Sequence, residues 1–351
     1  MGLPVIDINF KKLAKTAVLR SSRGIVALIL KDATKEVFEV VEESDISSSI
    51  SEVNKALIKE VLKGNDYSPN KIIVYVLGAD TELSEALTYF ESQEFNTLCY
   101  PQAEIEDNTA IETFINKMKN TVKYRCCAVL YNKASNNYEI VNLTAKNVTL
   151  DGEEVDSSSL VSRIVGLIEG TPLNKSITFA ALGYDGIENL TKEDADSRIA
   201  KGELIFVREM GKVRVARGVT SMTTDDKDTA DAFKNLQTVK ISNLIHNDLR
   251  RVIVEKYIGK VPNTYNNKCN LIIEISEYLR ELEVEQLIEQ VNYVGIDIEA
   301  QKKWLRDNTN LDVNSMEEQE IKEANTGTNV FIAISFKIVT AMEDIVINIE
   351  L

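Results

Sequence analysis

Short, continuous apolar runs that alternate with amphipathic stretches constrain the fold of this chain more than any other feature of its sequence. Strands that are apolar throughout, rather than at every second residue, are typical of sheets covered on both faces. The alternation predicts an α/β domain with a largely parallel sheet and helices on both sides of it. The runs interpreted as its strands are Ile25–Leu30, Ile72–Leu77, Thr97–Tyr100, Cys126–Tyr131 and Ile177–Leu182.

The helices of this domain are predicted from apolar residues that recur at helical spacing. Ser49 with Glu52, and Thr109 with Glu112, match the capping box, in which a hydroxyl and a carboxylate satisfy free backbone amides at the start of a helix. We therefore expect helices to begin near these two places. The predicted helical stretches are Ile50–Val61, Leu83–Phe90, Ile111–Met118 and Leu160–Ile168.

Two segments interrupt this alternation. Residues 132–157 are polar and strand-prone, with a stretch at Tyr138–Leu143 and a turn signal at Asp151-Gly152, which predicts a small antiparallel excursion on the surface. Residues 203–219 predict a hairpin that turns near Met210-Gly211.

The pattern changes after a polar, acidic stretch at residues 220–232. Long helices are predicted from about Thr238 to Ile258 and from about Lys268 to Gln290, followed by a shorter helix around Glu299–Asn308. Two strand patterns then close the chain, at Val330–Ile338 and at Ile345–Leu351. Helices followed by strands predict an α+β domain for this part.

Both ends of the sequence carry a strand pattern with one apolar face. Ile6, Ile8 and Phe10 share a face near the start, and the last strand pattern runs to Leu351. A lone strand leaves backbone hydrogen-bonding groups without partners, so each of these strands must join a sheet. Pairing within the same subunit and donation to neighbouring subunits, the β-augmentation mode, are both compatible with the pattern.

Charge and composition exclude several classes of function. Lys and Arg total 40 against 55 Asp and Glu, so the formal net charge of −15 opposes the phosphates of nucleic acid. A single histidine, His246, and four cysteines without a CxxC pair argue against histidine-centred catalysis, a disulfide framework and a zinc site. The sequence lacks a run of about 18 apolar residues, which predicts that no helix spans a membrane.

The residues that could carry chemistry form no recognisable motif. Phosphate binding at the first strand-to-helix turn needs glycines, and Lys31-Asp32-Ala33 contains none. The acidic cluster at Asp225–Asp231 lacks the glycine and the glutamate of a calcium-binding EF-hand loop and is interpreted as a solvated linker. His246, beside the apolar stripe of a long helix, is interpreted as structural. We therefore predict no catalytic residue, metal or cofactor, and a protein that is not an enzyme.

Segments along the whole chain resemble the contractile tail sheath proteins of phages, bacteriocins and phage-derived tail-like particles. The matching segments are GLPVIDINF, RGIVALIL, GELIFVREMGKVRVARGVTSMTT, NLIHNDLRRVIVEKYIGKVPNT and VFIAISFKIVTAMEDIVINIEL. The resemblance implies subunits that stack as six-fold rings in a helical polymer around a tail tube and contract to drive the tube through a target cell envelope. It also implies terminal strands that reach into the sheets of neighbouring subunits.

The resemblance implies a division of the chain by role. An N-terminal arm at residues 1–20 precedes an outer α/β domain at 21–222, with the antiparallel excursion at 132–157. A linker at 223–237 leads to a tube-facing α+β sheath domain at 238–351, which the N- and C-terminal strands complete. The residues implied in strand exchange between subunits are Val5, Ile6, Asp7, Ile8, Asn9, Phe10, Ile345, Val346, Ile347, Asn348, Ile349, Glu350 and Leu351.

The resemblance also implies partners and a location. The partners are further copies of the chain, a tail tube protein, and baseplate and tail terminator proteins, with no nucleic acid and no membrane insertion by the sheath itself. Assembly is expected in the bacterial cytoplasm, followed by incorporation into the virion or release as a tail-like particle. Residues 11–22 and 341–344 are expected to act as hinges during contraction.

Two other hypotheses stay open on the sequence alone. An α/β nucleotide-binding protein or enzyme with a helical cap rests on the alternating strands and helices. A nonenzymatic adhesion or receptor-binding module has no support beyond the polar hairpin region.

Overall fold

The computed structural model describes residues 23–224 and 231–349 of the chain. These residues belong to two units, which are described separately. The first unit comprises the described residues of Ser22–His246 and of Ile338–Leu351, and the second comprises Asn247–Lys337. The predicted division into arm, outer domain, linker and tube-facing domain concerns roles in an assembly and stays a prediction.

The first unit alternates strands with helices. Its strands are β1 (Ile25–Lys31), β2 (Glu36–Val40), β3 (Lys71–Leu77), β4 (Thr97–Cys99), β5 (Cys127–Tyr131), β6 (Ile140–Leu143), β7 (Thr149–Leu150), β8 (Glu153–Glu154), β9 (Glu203–Leu204), β10 (Phe206–Glu209) and β11 (Lys212–Val215). Its helices are α1 (Glu52–Leu62), α2 (Leu83–Glu91), α3 (Ile105–Lys117), α4 (Ser157–Glu169), α5 (Lys192–Ala200) and the part of α6 (Leu236–Val252) up to His246.

Seven of these strands form one sheet, in the order β2-β3-β1-β4-β5-β6-β9. β2 is antiparallel to β3, and every other neighbouring pair is parallel. In this register Leu28 of β1 lies opposite Val74 of β3 and Cys99 of β4. The predicted α/β fold with a largely parallel sheet is therefore confirmed.

β1 is buried on both faces of the sheet. Val26, Leu28 and Leu30 belong to one apolar cluster, which α1 and α4 complete. Ala27 and Ile29 belong to a second cluster, which α2 and α3 complete. Each residue of the run therefore faces a layer of helices, which explains why it is apolar at every position rather than at every second one.

Four of the five predicted strands coincide with β1, β3, β4 and β5 to within one residue at each end. The fifth, Ile177–Leu182, is wrong, because this segment has only a single isolated bridge among the described residues. Ile177 and Leu182 are buried, whereas Phe179 is half exposed and has a left-handed φ of 58°. The segment is a loop that places two apolar side chains in the core, which an apolar run alone does not distinguish from a strand.

The predicted surface excursion at 132–157 contains a strand of the main sheet. β6 is buried and parallel to β5, so the antiparallel surface interpretation of this part is wrong. The polar Asn142 fits within β6 because its side-chain oxygen accepts a hydrogen bond from the Lys133 amide at 2.8 Å. Only β7 and β8 are antiparallel, around the turn at Asp151-Gly152, where both residues have positive φ.

The predicted hairpin at 203–219 is present as β10 and β11, which are antiparallel. Its turn residues, Met210 and Gly211, both have positive φ. That conformation matches the twist of tight hairpins and agrees with the predicted turn position.

The first and third helices begin at other caps than predicted. Ser51, not Ser49, caps α1, and its hydroxyl accepts from the Asn54 amide; the Ser49 hydroxyl donates instead to Glu36. α3 begins at a capping box of Glu104 and Asp107, so Thr109 and Glu112 lie inside the helix. The capping motif fits several frames of a polar stretch, and at α1 the hydrogen bond from the Ser51 amide to Asp32 favours one of them.

The second unit mixes helices and strands. β12 (Tyr293–Ile296) and β13 (Ile332–Ser335) form an antiparallel two-stranded sheet. The first predicted long helix continues past the end of α6 as a π-helical turn at Ile253–Tyr257, so it ends within one residue of the predicted Ile258. The second ends at Val284, before the predicted Gln290, and left-handed Gln286 follows it. The elements of this unit, after the end of α6, are α7 (Tyr265–Val284), β12 (Tyr293–Ile296), α8 (Ile298–Asn308), α9 (Glu318–Glu323) and β13 (Ile332–Ser335).

α1 and α4 lie close together at Gly166. A Cβ atom on this residue would lie 2.2 Å from the carbonyl oxygen of Val61. We expect Gly166→Ala to lower the free energy of unfolding by about 1–3 kcal/mol, because the two helices must separate to admit the methyl group. Urea denaturation measures this change against Ser158→Ala on the same helix, for which we expect less than about 0.5 kcal/mol. Equal stability of the two variants would contradict the close approach.

Candidate functional site

The carboxyl end of β1 is where a doubly wound sheet would bind a nucleotide, because β3 and β4 flank β1 on opposite sides. Polar side chains of this chain close that crevice. Asp32 accepts hydrogen bonds from the Ser51 and Ala33 amides at 2.8 and 2.7 Å, and Gln102 donates to Asn54 at 3.1 Å. The bonds lower the pKa of Asp32 to about 2. A carboxylate therefore occupies the start of α1, where a phosphate would bind.

The cysteines and the histidine occupy structural positions. Cys99, Cys126 and Cys127 are buried, and burial raises the pKa of each thiol. A protonated thiol is a poor nucleophile and a poor metal ligand. His246 places its Nε2 3.1 Å from the Lys123 carbonyl oxygen. Within residues 23–224 and 231–349, no three His, Cys, Asp or Glu side chains form a group that could hold a metal ion.

The described part of the chain also contains no helix both long and apolar enough to cross a membrane.

Polar contacts fix the chain to the first unit shortly before its end. We call residues 341–344 the anchor. The Glu343 carboxylate accepts hydrogen bonds from the hydroxyls of Ser176 and Thr178, each at 2.7 Å. The Ala341 amide donates to the side-chain oxygen of Gln237 at 2.9 Å. The anchor is thus tied to the loop that follows α4 and to the start of α6.

Arg217 links the two acidic residues of the anchor. Its Nε lies 3.2 Å from Glu343 and its Nη2 lies 2.5 Å from Asp344. The hydrogen bond to Asp344 raises the pKa of the Arg217 guanidinium. The Glu343 side chain is 10% exposed and the Asp344 side chain 84%, so salt screens the second pair far more than the first. The stretch predicted to be a hinge is therefore held by charged contacts in this single subunit.

Apolar side chains are exposed directly after the anchor. Ile345, Val346, Ile347 and Ile349 are 70%, 86%, 76% and 78% exposed, and residues 345–349 form no strand. Single exposed apolar residues are ordinary on a protein surface. Four within five consecutive positions form an exposed apolar run, and exposed apolar patches are typical of interaction surfaces.

The residues predicted for strand exchange fall into two groups. Ile345, Val346, Ile347, Asn348 and Ile349 are described and exposed. The second group lies outside the described residues and comprises Val5, Ile6, Asp7, Ile8, Asn9, Phe10, Glu350 and Leu351. The role of both groups in strand exchange stays a prediction.

The sequence interpretation missed the residues that receive the anchor. Ser176, Thr178 and Arg217 precede their partners by 167, 165 and 127 positions. No local spacing pattern marks such a set, because the fold alone brings its members together. The only signal in the sequence is a pair of acidic residues, Glu343 and Asp344, between two apolar stretches.

Each unit offers strand edges that could accept another chain. Among the described residues, β11 pairs with β10 on one side and bonds to residues 179–182 on the other. β10, β12 and β13 each pair along one side only. Unpaired edges carry backbone donors and acceptors that can take up a further strand. A cavity of about 730 Å³ borders β10, and its lining includes the anchor residues Glu343 and Asp344.

Family models match most of the chain. The model of the phage tail sheath protein central domain matches residues 78–221, and the model of the phage tail sheath C-terminal domain matches residues 228–351. A curated tail sheath protein of Clostridium phage phiCD119 is 41% identical over 358 aligned residues, which cover 100% of this chain and 99% of the relative.

The chain belongs to the phage tail sheath family.

Solved sheath structures share the fold of this tail sheath protein. The sheath tail protein Lin1278 of Listeria innocua superposes with a TM-score of 0.68 at 16% identity, covering 90% of this chain and 95% of that one. A chain of the anti-feeding prophage baseplate gives a TM-score of 0.65 at 13% identity and covers 99% of both chains. At these identities the similarity concerns the fold alone.

A more distant curated relative is the phage-like element PBSX protein XkdK of Bacillus subtilis. It is 25% identical over 179 residues, which cover 49% of this chain and 38% of the relative. Together with the family models, these relatives confirm the family predicted from the sequence segments. The tail sheath protein is a structural component of a phage tail and not an enzyme.

Removing the Glu343 carboxylate should release the anchor. We expect Glu343→Ala to lower the free energy of unfolding by about 1–3 kcal/mol, because Ser176, Thr178 and Arg217 lose a shared charged partner. Amide hydrogen exchange at Ala341 should become faster in the same variant. The matched control is Glu289→Ala, whose carboxylate is 60% exposed and lies 3.9 Å from Lys337. Unchanged exchange at Ala341 in Glu343→Ala would show that the anchor is not held by this carboxylate.

Proposed function

We propose that this tail sheath protein polymerises around a tail tube and contracts to drive the tube through a target cell envelope. The exposed apolar run that follows the anchor is the observation that carries this proposal. An isolated subunit leaves these side chains in water, whereas a polymer can cover them. The useful unit is then the assembly rather than the single chain.

Strand donation is the mode of assembly that fits this segment. In an extended conformation Ile345, Ile347 and Ile349 share one face, while Val346 and Asn348 share the other. Full burial of an isoleucine contributes roughly 1.5–3 kcal/mol, and each backbone hydrogen bond adds a net 0.5–1.5 kcal/mol, roughly. One donated strand thus contributes several kcal/mol per subunit, which is more than an exposed ion pair between subunits contributes.

The N-terminal strand Val5–Phe10 is proposed to act in the same way. Its apolar residues alternate like those of the C-terminal segment. With two donated strands, each subunit is joined to neighbours at two points. Such links can persist while weaker polar contacts between subunits break and reform during contraction.

The proposed partners follow from this role. Further copies of the chain form six-fold rings, and a tail tube protein lies inside them. Baseplate and tail terminator proteins close the two ends of the polymer. The fold similarity to a chain of the anti-feeding prophage baseplate supports a place in such an assembly. We propose assembly in the bacterial cytoplasm, before incorporation into a virion or release as a tail-like particle.

The nucleotide-binding alternative is not favoured by the crevice at β1. Asp32, Asn54 and Gln102 satisfy one another and the backbone there. A bound phosphate would have to displace a carboxylate whose pKa lies at about 2.

Two matched variants test donation of the C-terminal strand. Ile347→Asn should abolish tube formation, because it places an amide on the buried face of the donated strand. Val346→Asn should retain tubes, because it changes the opposite face. Both side chains are exposed in the single chain, so neither variant should alter its thermal unfolding. Negative-stain electron microscopy at high protein concentration gives the readout. Normal tubes from Ile347→Asn would exclude the proposed strand.

Deletion of residues 1–20 tests the N-terminal arm. The truncated chain should keep the circular dichroism spectrum and melting temperature of the full chain, because the described units lie outside the deleted region. Ordered tubes should be lost. Tubes of normal length and diameter from the truncated chain would refute a mesh built from N-terminal strands.

A further inference from the structure

Glu139 carries a buried carboxylate that takes no part in the proposed strand donation. Glu139 is 0% exposed, and among the described residues neither of its carboxylate oxygens has a hydrogen-bond partner. The nearest cation is the Lys119 ammonium, 3.7 Å from Oε2. An ionised carboxylate in such a place is costly unless hydrogen bonds or close cations compensate it.

The same ammonium is engaged by an aromatic ring. Lys119 Nζ lies 3.8 Å from the centroid of the Tyr138 ring. Tyr138 in turn packs on Phe233, with ring centroids 5.0 Å apart. The cation is therefore shared between the Glu139 carboxylate and a ring that holds the residues after position 230.

The two residues Asn136 and Asn137, just before Tyr138 and Glu139, form hydrogen bonds with residues 221–224. The Asn136 side-chain oxygen accepts hydrogen bonds from the amides of Thr223 and Thr224 at 2.8 and 3.1 Å, and from both of their hydroxyls. Asn137 exchanges hydrogen bonds with the Ser221 hydroxyl. Residues 136–138 thus contact residues 221–224 on one side and Phe233 on the other.

Among the residues that the structure describes, the charged or titratable groups that act on the carboxylate lie between Lys119 and Cys127. Lys119 lies in the π-helical turn Met118–Val122, Arg125 and Cys126 directly precede β5, and Cys127 begins it. Burial raises the pKa of both thiols, so they remain neutral. Lys119 and Arg125 favour the ionised carboxylate, but burial outweighs them and raises the pKa of Glu139 to about 7.

We propose that Glu139 operates a proton-dependent latch: the neutral carboxyl group lets residues 136–138 hold residues 221–224 and Phe233, and the ionised one loosens these contacts. Ionisation requires either that Lys119 leave the Tyr138 ring or that water enter the site. Both movements disturb the loop that carries Asn136 and Tyr138. The latch acts within one subunit and does not depend on strand exchange.

The direction of the pH effect follows from linkage. The closed loop keeps the Glu139 proton up to about pH 7, whereas an opened loop releases it near the ordinary value of 4.5. The proton therefore stabilises the closed latch at low pH, and this stabilisation is lost as the pH rises through about 7. Each pKa unit between the two states corresponds to a tenfold change in the opening equilibrium.

Amide hydrogen exchange at Thr223 and Thr224 tests the latch in the full chain. At each pH the rate in the unmodified protein is divided by the rate in Glu139→Gln, which cancels the intrinsic pH dependence of exchange. We expect this ratio to rise about tenfold or more from pH 5 to pH 8. The matched control is Glu112→Gln, whose carboxylate lies 3.4 Å from Lys133; the unmodified protein divided by this control should stay constant.

A second variant keeps the test decisive if the Glu139→Gln protein does not fold. Lys119→Met removes a cation that favours the ionised carboxylate, so the pH at which exchange at Thr223 levels off should move upward. A ratio that is independent of pH, or a Lys119→Met profile that coincides with that of the unmodified protein, would overturn the latch. Neither result bears on whether tubes form.

Discussion

Burial of β1 on both faces is the constraint on which the first unit depends. A strand without a solvent face must be flanked by other strands and covered by two layers of helices. β3 and β4 flank it, α1 and α4 cover one side, and α2 and α3 cover the other. The close contact of α1 with α4 at Gly166 follows from the first layer. The polar network around Asp32 closes the crevice at the carboxyl end of β1.

The sequence predicted those parts of the fold in which one physical requirement dominates. Ile25–Leu30 is apolar at every position because both faces are buried, so its pattern has one interpretation. The polar character of residues 132–157 conceals β6, because Asn142 sits in a buried strand and accepts its hydrogen bond from Lys133, outside that strand. Ile177–Leu182 has the apolar content of a strand but is a loop, because apolar content reports burial and not backbone pairing.

Only the exposed apolar residues of the candidate site, within Ile345–Ile349, can be predicted from the sequence. The alternation at Ile345–Ile349 is visible in the sequence because strand periodicity is local. The anchor is not, because Ser176, Thr178 and Arg217 reach Glu343 and Asp344 only through the folded first unit. The buried Glu139 was hidden for a similar reason, since 55 acidic residues offer no spacing that marks one as buried.

The anchor also decides where a mechanical load on the chain end is absorbed. Tension applied beyond Asp344 reaches Arg217, Ser176 and Thr178 before it reaches the backbone of residues 338–340. Because Glu343 is gripped by three side chains at once, the force divides among them instead of breaking each bond in turn. The chain end therefore resists pulling at the anchor, and the sheet of the first unit supports the residues that hold it.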